Sequence, residues 1–312
     1  MKDQFAKKVR KNSRSFNFAI SLQPISYERK GAIMNFGGLE EQYSEYATSP
    51  VVILPVPYDA TSTWIRGADK GPEAILEASA NMELYDIQTG REVYLDGIHT
   101  FDPVGLTSDP EIMVEEVQAA VAGILSDQKF PVIIGGNHSV SIGSVRACAA
   151  HYGDITVLQF DAHTDLRPEY EGSPLSHASI MARAAEVADI VQVGIRSMCT
   201  DELPFLQPGR IFYAHEICGR QDWYEAAEKL LAGPVYITID LDVFDPSVLP
   251  STGTPEPGGM LYYEVYRFLD FVIKRHQIIA LDVVELCPNS TEKSSDFLAS
   301  KLIYQLISLI SK

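Results

Sequence analysis

From residue 50 onward, short apolar runs rich in β-branched residues alternate with longer segments of helical spacing. The runs fall at 51–56, 131–134, 155–160, 190–193, 211–213, 235–239 and 278–284. Runs of this length and continuity are the signature of strands covered on both faces, as in a parallel sheet. Between them, 72–85 opens on a Gly-Pro pair that suits a first helical turn. Segment 110–126 places Ile112, Val117, Val121 and Leu125 near helical spacing, and 223–231, 261–274 and 294–310 complete the helical set. Strand followed by helix, repeated, predicts an α/β domain with helices on both faces of a parallel sheet.

No Pro/Gly/Ser linker and no internal repeat divides this pattern, so residues 35–312 read as a single domain. Residues 1–34 differ, with eight Lys/Arg and only two acidic residues. They lack a secretory apolar core with a small-residue cleavage site and read as a basic extension, mobile or loosely docked. No apolar run approaches the ~18 residues of a membrane span. The formal charge of −17 disfavours nucleic acid and anionic membranes as partners. It would attract a cation, although plain solubility explains it equally well. Four cysteines, Cys148, Cys199, Cys218 and Cys287, show no CxxC spacing and read as free thiols of a cytoplasmic protein.

Three polar clusters change this picture. They are Gly135-Gly136-Asn137-His138-Ser139, Asp161-Ala162-His163-Thr164-Asp165 and Asp240-Leu241-Asp242, each close behind an apolar run. Ligands of open α/β sheets collect at the carboxyl ends of strands, where these clusters fall. On extended backbone, donors at alternate positions point to one side, so Asp161, His163 and Asp165 can converge, as can Asp240 and Asp242. Four carboxylates and two imidazoles are more than one ion needs and suit two divalent cations. The absence of thiolate argues against structural zinc, and the hard donor set favours Mn²⁺ over Zn, Ni or Fe. A pair of ions lowers the pKa of bound water enough for hydrolysis near neutral pH.

The motifs GGNHS at 135–139, DAHTDLR at 161–167, SHAS at 176–179 and DLDVFDPS at 240–247 resemble those of the ureohydrolase (arginase/agmatinase) family. The resemblance spans residues 50–310 and is closest to the agmatinase side. It implies a three-layer α/β/α fold around a mainly parallel eight-stranded sheet, a binuclear manganese centre, and a homo-oligomer, trimer or hexamer. By that likeness His138, Asp161, Asp165 and Asp240 hold one ion. Asp161, His163, Asp240 and Asp242 hold the other, with Asp161 and Asp240 bridging. Glu285, behind the 278–284 run, corresponds to the glutamate that pairs with a guanidinium, and His177 to a proton-shuttle histidine. Asp165 can also accept a hydrogen bond from the hydroxide and pass its proton to the leaving nitrogen. Asn137 departs from a position that is often acidic in the family.

A guanidinium is delocalised and a poor electrophile, so its hydrolysis needs a strong nucleophile, an orienting carboxylate and an acid for the leaving amine. The expected substrate is a small cationic guanidine, agmatine, cleaved to urea and putrescine. Glu169 and Glu171, in the loop after the DAHTD motif, are the candidate partners of its distal ammonium. N1-aminopropylagmatine is the competing substrate. Arginine, guanidinobutyrate and formiminoglutamate carry a carboxylate that these acids would repel, with Arg167 the only nearby cation. A non-catalytic polyamine-binding paralogue is the alternative of another class, and it should have lost a metal ligand. Histone-deacetylase-like enzymes use a single zinc, and the presence of both His138 and Asp165 argues instead for two ions. His99, His151, His215 and His276 match no motif and read as packing or surface residues, and Arg196 as one half of a structural ion pair.

Overall fold

The computed structural model describes residues 34–311. The basic segment 1–34 therefore lies, but for Met34, outside the described residues. The strands are β1 (Val51–Val56), β2 (Ile98–Thr100), β3 (Phe130–Gly135), β4 (Thr156–Phe160), β5 (Asp189–Ile195), β6 (Ile211–Tyr213), β7 (Val235–Asp240) and β8 (Ile278–Val284). They form one eight-stranded sheet in the order β2-β1-β3-β8-β7-β4-β5-β6, and every pairing is parallel. The helices are α1 (Gly71–Ser79), α2 (Pro110–Ser126), α3 (Ser141–Tyr152), α4 (Ile180–Ala184), α5 (Ala214–Ile217), α6 (Tyr224–Glu228), α7 (Tyr262–Ile273) and α8 (Ser294–Ile310).

The seven apolar runs are strands, and β1, β4 and β7 are buried at every position, because both faces are covered. Alternate residues of β1 feed two separate cores. Val51 and Ile53 pack with α1, α7 and α8 on one face, and Val52, Leu54 and Val56 pack with α2, α3 and α4 on the other. The result is the three-layer α/β/α arrangement.

Local signals explain where expectation and structure agree or part. Helix α2 begins where Pro110 predicts, because the Asp109 side chain accepts from the Glu111 and Ile112 amides and caps it. Helix α1 stops at Ser79, short of residue 85. There the Ser79 hydroxyl bonds back to the Leu76 carbonyl (2.6 Å) and accepts from the Gly37 amide (2.8 Å). Strand β2, three residues long, gives no readable pattern. Helix α3 was not expected, because Ser141, Gly143, Ser144 and Arg146 break its apolar spacing. Packing holds it instead: a side chain at Gly143 would come 2.5 Å from the Val114 carbonyl oxygen, so the glycine lets α3 lie directly on the α2 backbone.

The four middle strands, β3, β8, β7 and β4, lie side by side although the chain visits them in the order three, four, seven, eight. Their carboxyl ends form one rim, the place where an open α/β sheet binds ligands. At the end of β3 the chain runs against the loop after β1: the Gly136 amide donates to Val56 O (2.8 Å) and the Asn137 amide to Tyr58 O (2.8 Å). A Cβ on Gly136 would stand 2.0 Å from that Tyr58 oxygen. Gly136→Ala must therefore displace backbone, and we expect it to cost at least ~3 kcal/mol in denaturant melts or to prevent folding. An alanine variant with wild-type stability would show that this crossing is not tight.

Candidate active site and metal cluster

All six metal-ligand candidates sit on that rim. Asp161 follows β4, Asp240 ends β7, and His138 opens a single 3-10 turn, His138–Val140, that leads from β3 into α3. The convergence within each cluster has a different cause from the one the pattern suggested. The chain bends just past each leading aspartate: the Asp161 carboxylate accepts from the His163 amide (2.6 Å), and that of Asp240, itself still extended, from the Asp242 amide (2.9 Å) in the 3-10 turn that follows. Each aspartate thus closes a tight turn that swings the side chain two residues on toward its own. Asp165 then turns back in the left-handed region, with φ 50°.

His138 Nδ1 lies 3.1 Å from Asp161 Oδ2, 3.1 Å from Asp165 Oδ2 and 3.4 Å from Asp240 Oδ2. His163 Nδ1 lies 2.9 Å from Asp242 Oδ2 and 3.6 Å from Asp161 Oδ1. Two donor groups can each hold an ion, His138/Asp161/Asp165 and Asp161/His163/Asp242, so Asp161 belongs to both. Asp240 reaches the first through Oδ2 while its other oxygen closes the turn to Asp242.

A hydrogen-bond chain behind His138 fixes its ring. Thr238 donates its hydroxyl proton to Asp282 Oδ1 (2.6 Å), so its oxygen accepts from His138 Nε2–H (2.8 Å). Nδ1 then carries the lone pair, and it is buried without a hydrogen-bond partner. A buried lone pair aimed among three carboxylates fits a cation. The electrostatics agree. Burial opposes a charge on His138, yet with no cation among them Asp161, Asp165 and Asp240 hold its pKa well above the ordinary imidazole value, so that a proton takes the place on Nδ1 that a metal ion would otherwise fill. Burial and then the Asp161 charge push Asp165 up to about 7, and burial, then Asp242 and Asp161, push Asp240 well up. Buried carboxylates this close cannot all ionise without positive charge among them, and divalent cations would supply it. Thr238→Val keeps the shape of the side chain but removes the acceptor that orients His138. We expect metal affinity to fall about 10–100-fold with melting little changed. Unaltered metal affinity would show that the Thr238 link does not orient the ring.

Glu285 follows β8, also left-handed at φ 65°. Its Oε1 accepts from the His138 amide (2.7 Å), and burial raises its pKa to about 8. His177 donates its amide to the Thr61 hydroxyl (3.3 Å) and packs its ring edge-on against Tyr170, with centroids 5.7 Å apart. Burial lowers its pKa to about 4, so at neutral pH it is an uncharged base whose Nδ1 has no hydrogen-bond partner. Asn137 links these parts. Its Oδ1 accepts from the Ser139 amide, which can only donate and so fixes the orientation of the side chain. Its Nδ2 donates to Thr61 (2.8 Å) and Ser62 (3.3 Å). A carboxylate at this position could not make those two donations.

Asp165, Asp240, Asp242 and Glu285 line a cavity of about 230 Å³, together with His163 and His177. Arg167 and Tyr170 form a wall, the guanidinium 4.4 Å from the ring centre. The structure does not bring Glu169 and Glu171 into it. Tyr170 and Ser173 exchange backbone hydrogen bonds (2.9 and 3.0 Å), and this tight turn leaves both acids exposed outside the lining. Arg196 forms no ion pair among the described residues. Its guanidinium donates to backbone carbonyls, including those of Asp242 (2.6 Å) and Glu256 (2.8 Å).

Sequence reasoning missed Trp64 and Ile65, from the loop after β1, which also line the cavity. A tryptophan in a polar loop behind the first apolar run was the available signal. It also missed Thr238 and Asp282, polar residues inside the two runs that become β7 and β8.

Comparison with known proteins agrees with this geometry. The model of the arginase family matches residues 49–308. An N(1)-aminopropylagmatine ureohydrolase of Synechocystis sp. is 37% identical over 278 residues, covering 86% of this chain and 91% of its own length. An agmatinase of Pyrococcus horikoshii is 30% identical over 266 residues, covering 84% and 92%. The crystal structure of agmatine ureohydrolase from Thermoplasma volcanium superposes with a TM-score of 0.80 at 26% identity, covering 90% of this chain and 95% of that one.

Proposed function

We propose agmatine as the substrate of this chain, which belongs to the arginase family and is a hydrolase acting on guanidino groups. The products are urea and putrescine, which makes the reaction a step toward polyamines. The observation that carries this reading is that Glu285 shares one cavity lining with four of the six cluster residues, His163, Asp165, Asp240 and Asp242, while His138 and Asp161 lie against these carboxylates. His138, Asp161, Asp165 and Asp240 would hold one ion, and Asp161, His163, Asp240 and Asp242 the other. The oxygen and imidazole donors, without thiolate, favour Mn²⁺. When bound, two such ions supply Lewis acidity and lower the pKa of the water that attacks.

The protein's own groups do the rest. Glu285 pairs with the planar guanidinium and turns its carbon toward the cluster. Asp165 takes the proton of the attacking water. As the bond between carbon and the alkylated nitrogen breaks, that proton passes to the leaving amine, with His177 as the relay. Every metal-ligand candidate is present, which speaks against a binding-only paralogue. The four unpaired cysteines support a cytoplasmic setting, and exposed apolar side chains such as Ile87 and Leu106 support assembly as a trimer or hexamer. Among the described residues no helix is long and apolar enough to cross a membrane.

N1-aminopropylagmatine is the second reading. It is favoured by three relatives of that name at 37% identity, although a fourth stands at 30%, level with three agmatinases at 30–32%. A urea-release screen with Mn²⁺ across agmatine, aminopropylagmatine, arginine and guanidinobutyrate tests both. Turnover of agmatine supports the main reading, faster turnover of aminopropylagmatine promotes the second, and no urea from any guanidine overturns both.

A further inference from the structure

The cavity holds five carboxylates, and none is free to meet the far end of a cationic substrate. Asp165, Asp240 and Asp242 belong to the metal cluster, and Glu285 faces the guanidinium. Glu202 is buried and already accepts from the Thr164 hydroxyl (2.6 Å), the Leu166 amide (2.9 Å) and the Cys199 amide (2.6 Å). Arg167 is the one arginine of the lining, and it is occupied by stacking on Tyr170 with Glu202 3.9 Å away. The exposed acids Glu169 and Glu171 lie outside the lining, as does Glu256, whose carboxylate is turned to His163 Nε2 at 3.8 Å.

What the mouth offers instead is an aromatic face. Trp64 is 70% exposed and Ile65 41% exposed, yet both line the cavity. Their loop is held from several sides. Asp59 accepts from the Gly67 amide (2.7 Å), Asn137 donates to Thr61 and Ser62, and Cys287 Sγ contacts the Arg66 carbonyl (3.4 Å). An exposed indole on an anchored loop is a preorganised platform rather than a stray apolar side chain. A cation over the face of tryptophan is bound by the ring quadrupole without needing a carboxylate.

We infer that Trp64 reads the tail of the substrate, its indole face at the cavity mouth receiving the distal ammonium of an aliphatic guanidine where an ion pair is lacking. This rests on the guanidine-hydrolase reading above. It selects for a tail that is aliphatic and cationic, and such a site tolerates lengthening because the mouth opens to solvent beyond the ring.

The test compares 1-butylguanidine, which has no distal cation, with agmatine and N1-aminopropylagmatine on the Mn²⁺-loaded full chain and its Trp64→Ala, Trp64→Leu and Trp64→Phe variants. For Trp64→Ala we expect KM for the two cationic substrates to rise about tenfold, with kcat within about twofold. KM for butylguanidine, which can lose only apolar contact, should rise by no more than about threefold. Trp64→Leu should behave like Trp64→Ala, and Trp64→Phe should recover part of the loss. An equal rise in KM for butylguanidine, full activity of Trp64→Leu, or no change in any variant would overturn the assignment while leaving guanidine hydrolysis intact. Failure of the wild type to release urea from all three would overturn the parent reading and this inference with it.

Discussion

Asp161→Ala should lower kcat/KM for urea release by more than about 10³-fold, a loss above ~4 kcal/mol of transition-state stabilisation. It should also purify with almost no metal in either half of the site. The reason is its position. Asp161 belongs to both donor groups, whereas His138 and His163 each belong to one. It also shapes the site, because its carboxylate accepts from the His163 amide and from Gln159 Nε2, both at 2.6 Å. Without it the turn that aims His163 loses its closure. His138→Ala should instead weaken one ion and leave the other measurable. Elemental analysis of both variants beside the wild type checks this. Asp161→Ala with two ions per chain and full activity would sink the assignment of a shared ligand.

The contrast between these variants shows why much of the site was legible in the sequence. Strand-end clusters such as DAHTD and DLD announce themselves because several donors crowd into a few residues behind a buried run, and a buried run is readable from hydrophobicity alone. Glu285 is a lone acid behind a buried run, and only its likeness to the family's glutamate singled it out. The supporting residues were not. Thr238 and Asp282 lie within β-strands, and only the pairing of β7 with β8, Thr238 opposite Asp282, places the two together behind His138. Trp64 and Thr61 come from a loop whose distance to the cluster depends on how β1 sits beside β3. Helix α3 was lost because Ser141, Gly143, Ser144 and Arg146 dilute the short apolar stripe of Ile142, Val145 and Cys148 that it buries. Glu169 and Glu171 show the opposite limit. Their charge and loop position suggested ammonium partners, but both are exposed and outside the cavity lining, a placement that composition does not encode.

Glu285→Gln separates substrate orientation from metal binding, and its effect should be nearly as large as that of Asp161→Ala. Glutamine can keep the hydrogen bond that Glu285 Oε1 accepts from the His138 amide, so the metal ligand beside it should hold its place. What it cannot keep is the charge. A guanidinium brought into this buried cavity would lose its anionic partner, and removing one member of a buried pair costs ~3–5 kcal/mol. We therefore expect kcat/KM to fall about 10²–10³-fold or more with metal content unchanged. The backbone adds a second arm. Glu285 is held at φ 65°, where a side chain is strained and glycine is not. Glu285→Gly should accordingly lose activity without losing thermal stability, the mark of a residue retained for chemistry and not for the fold. Full activity of Glu285→Gln would remove it from the guanidinium, and a parallel loss of metal would assign its role to the cluster.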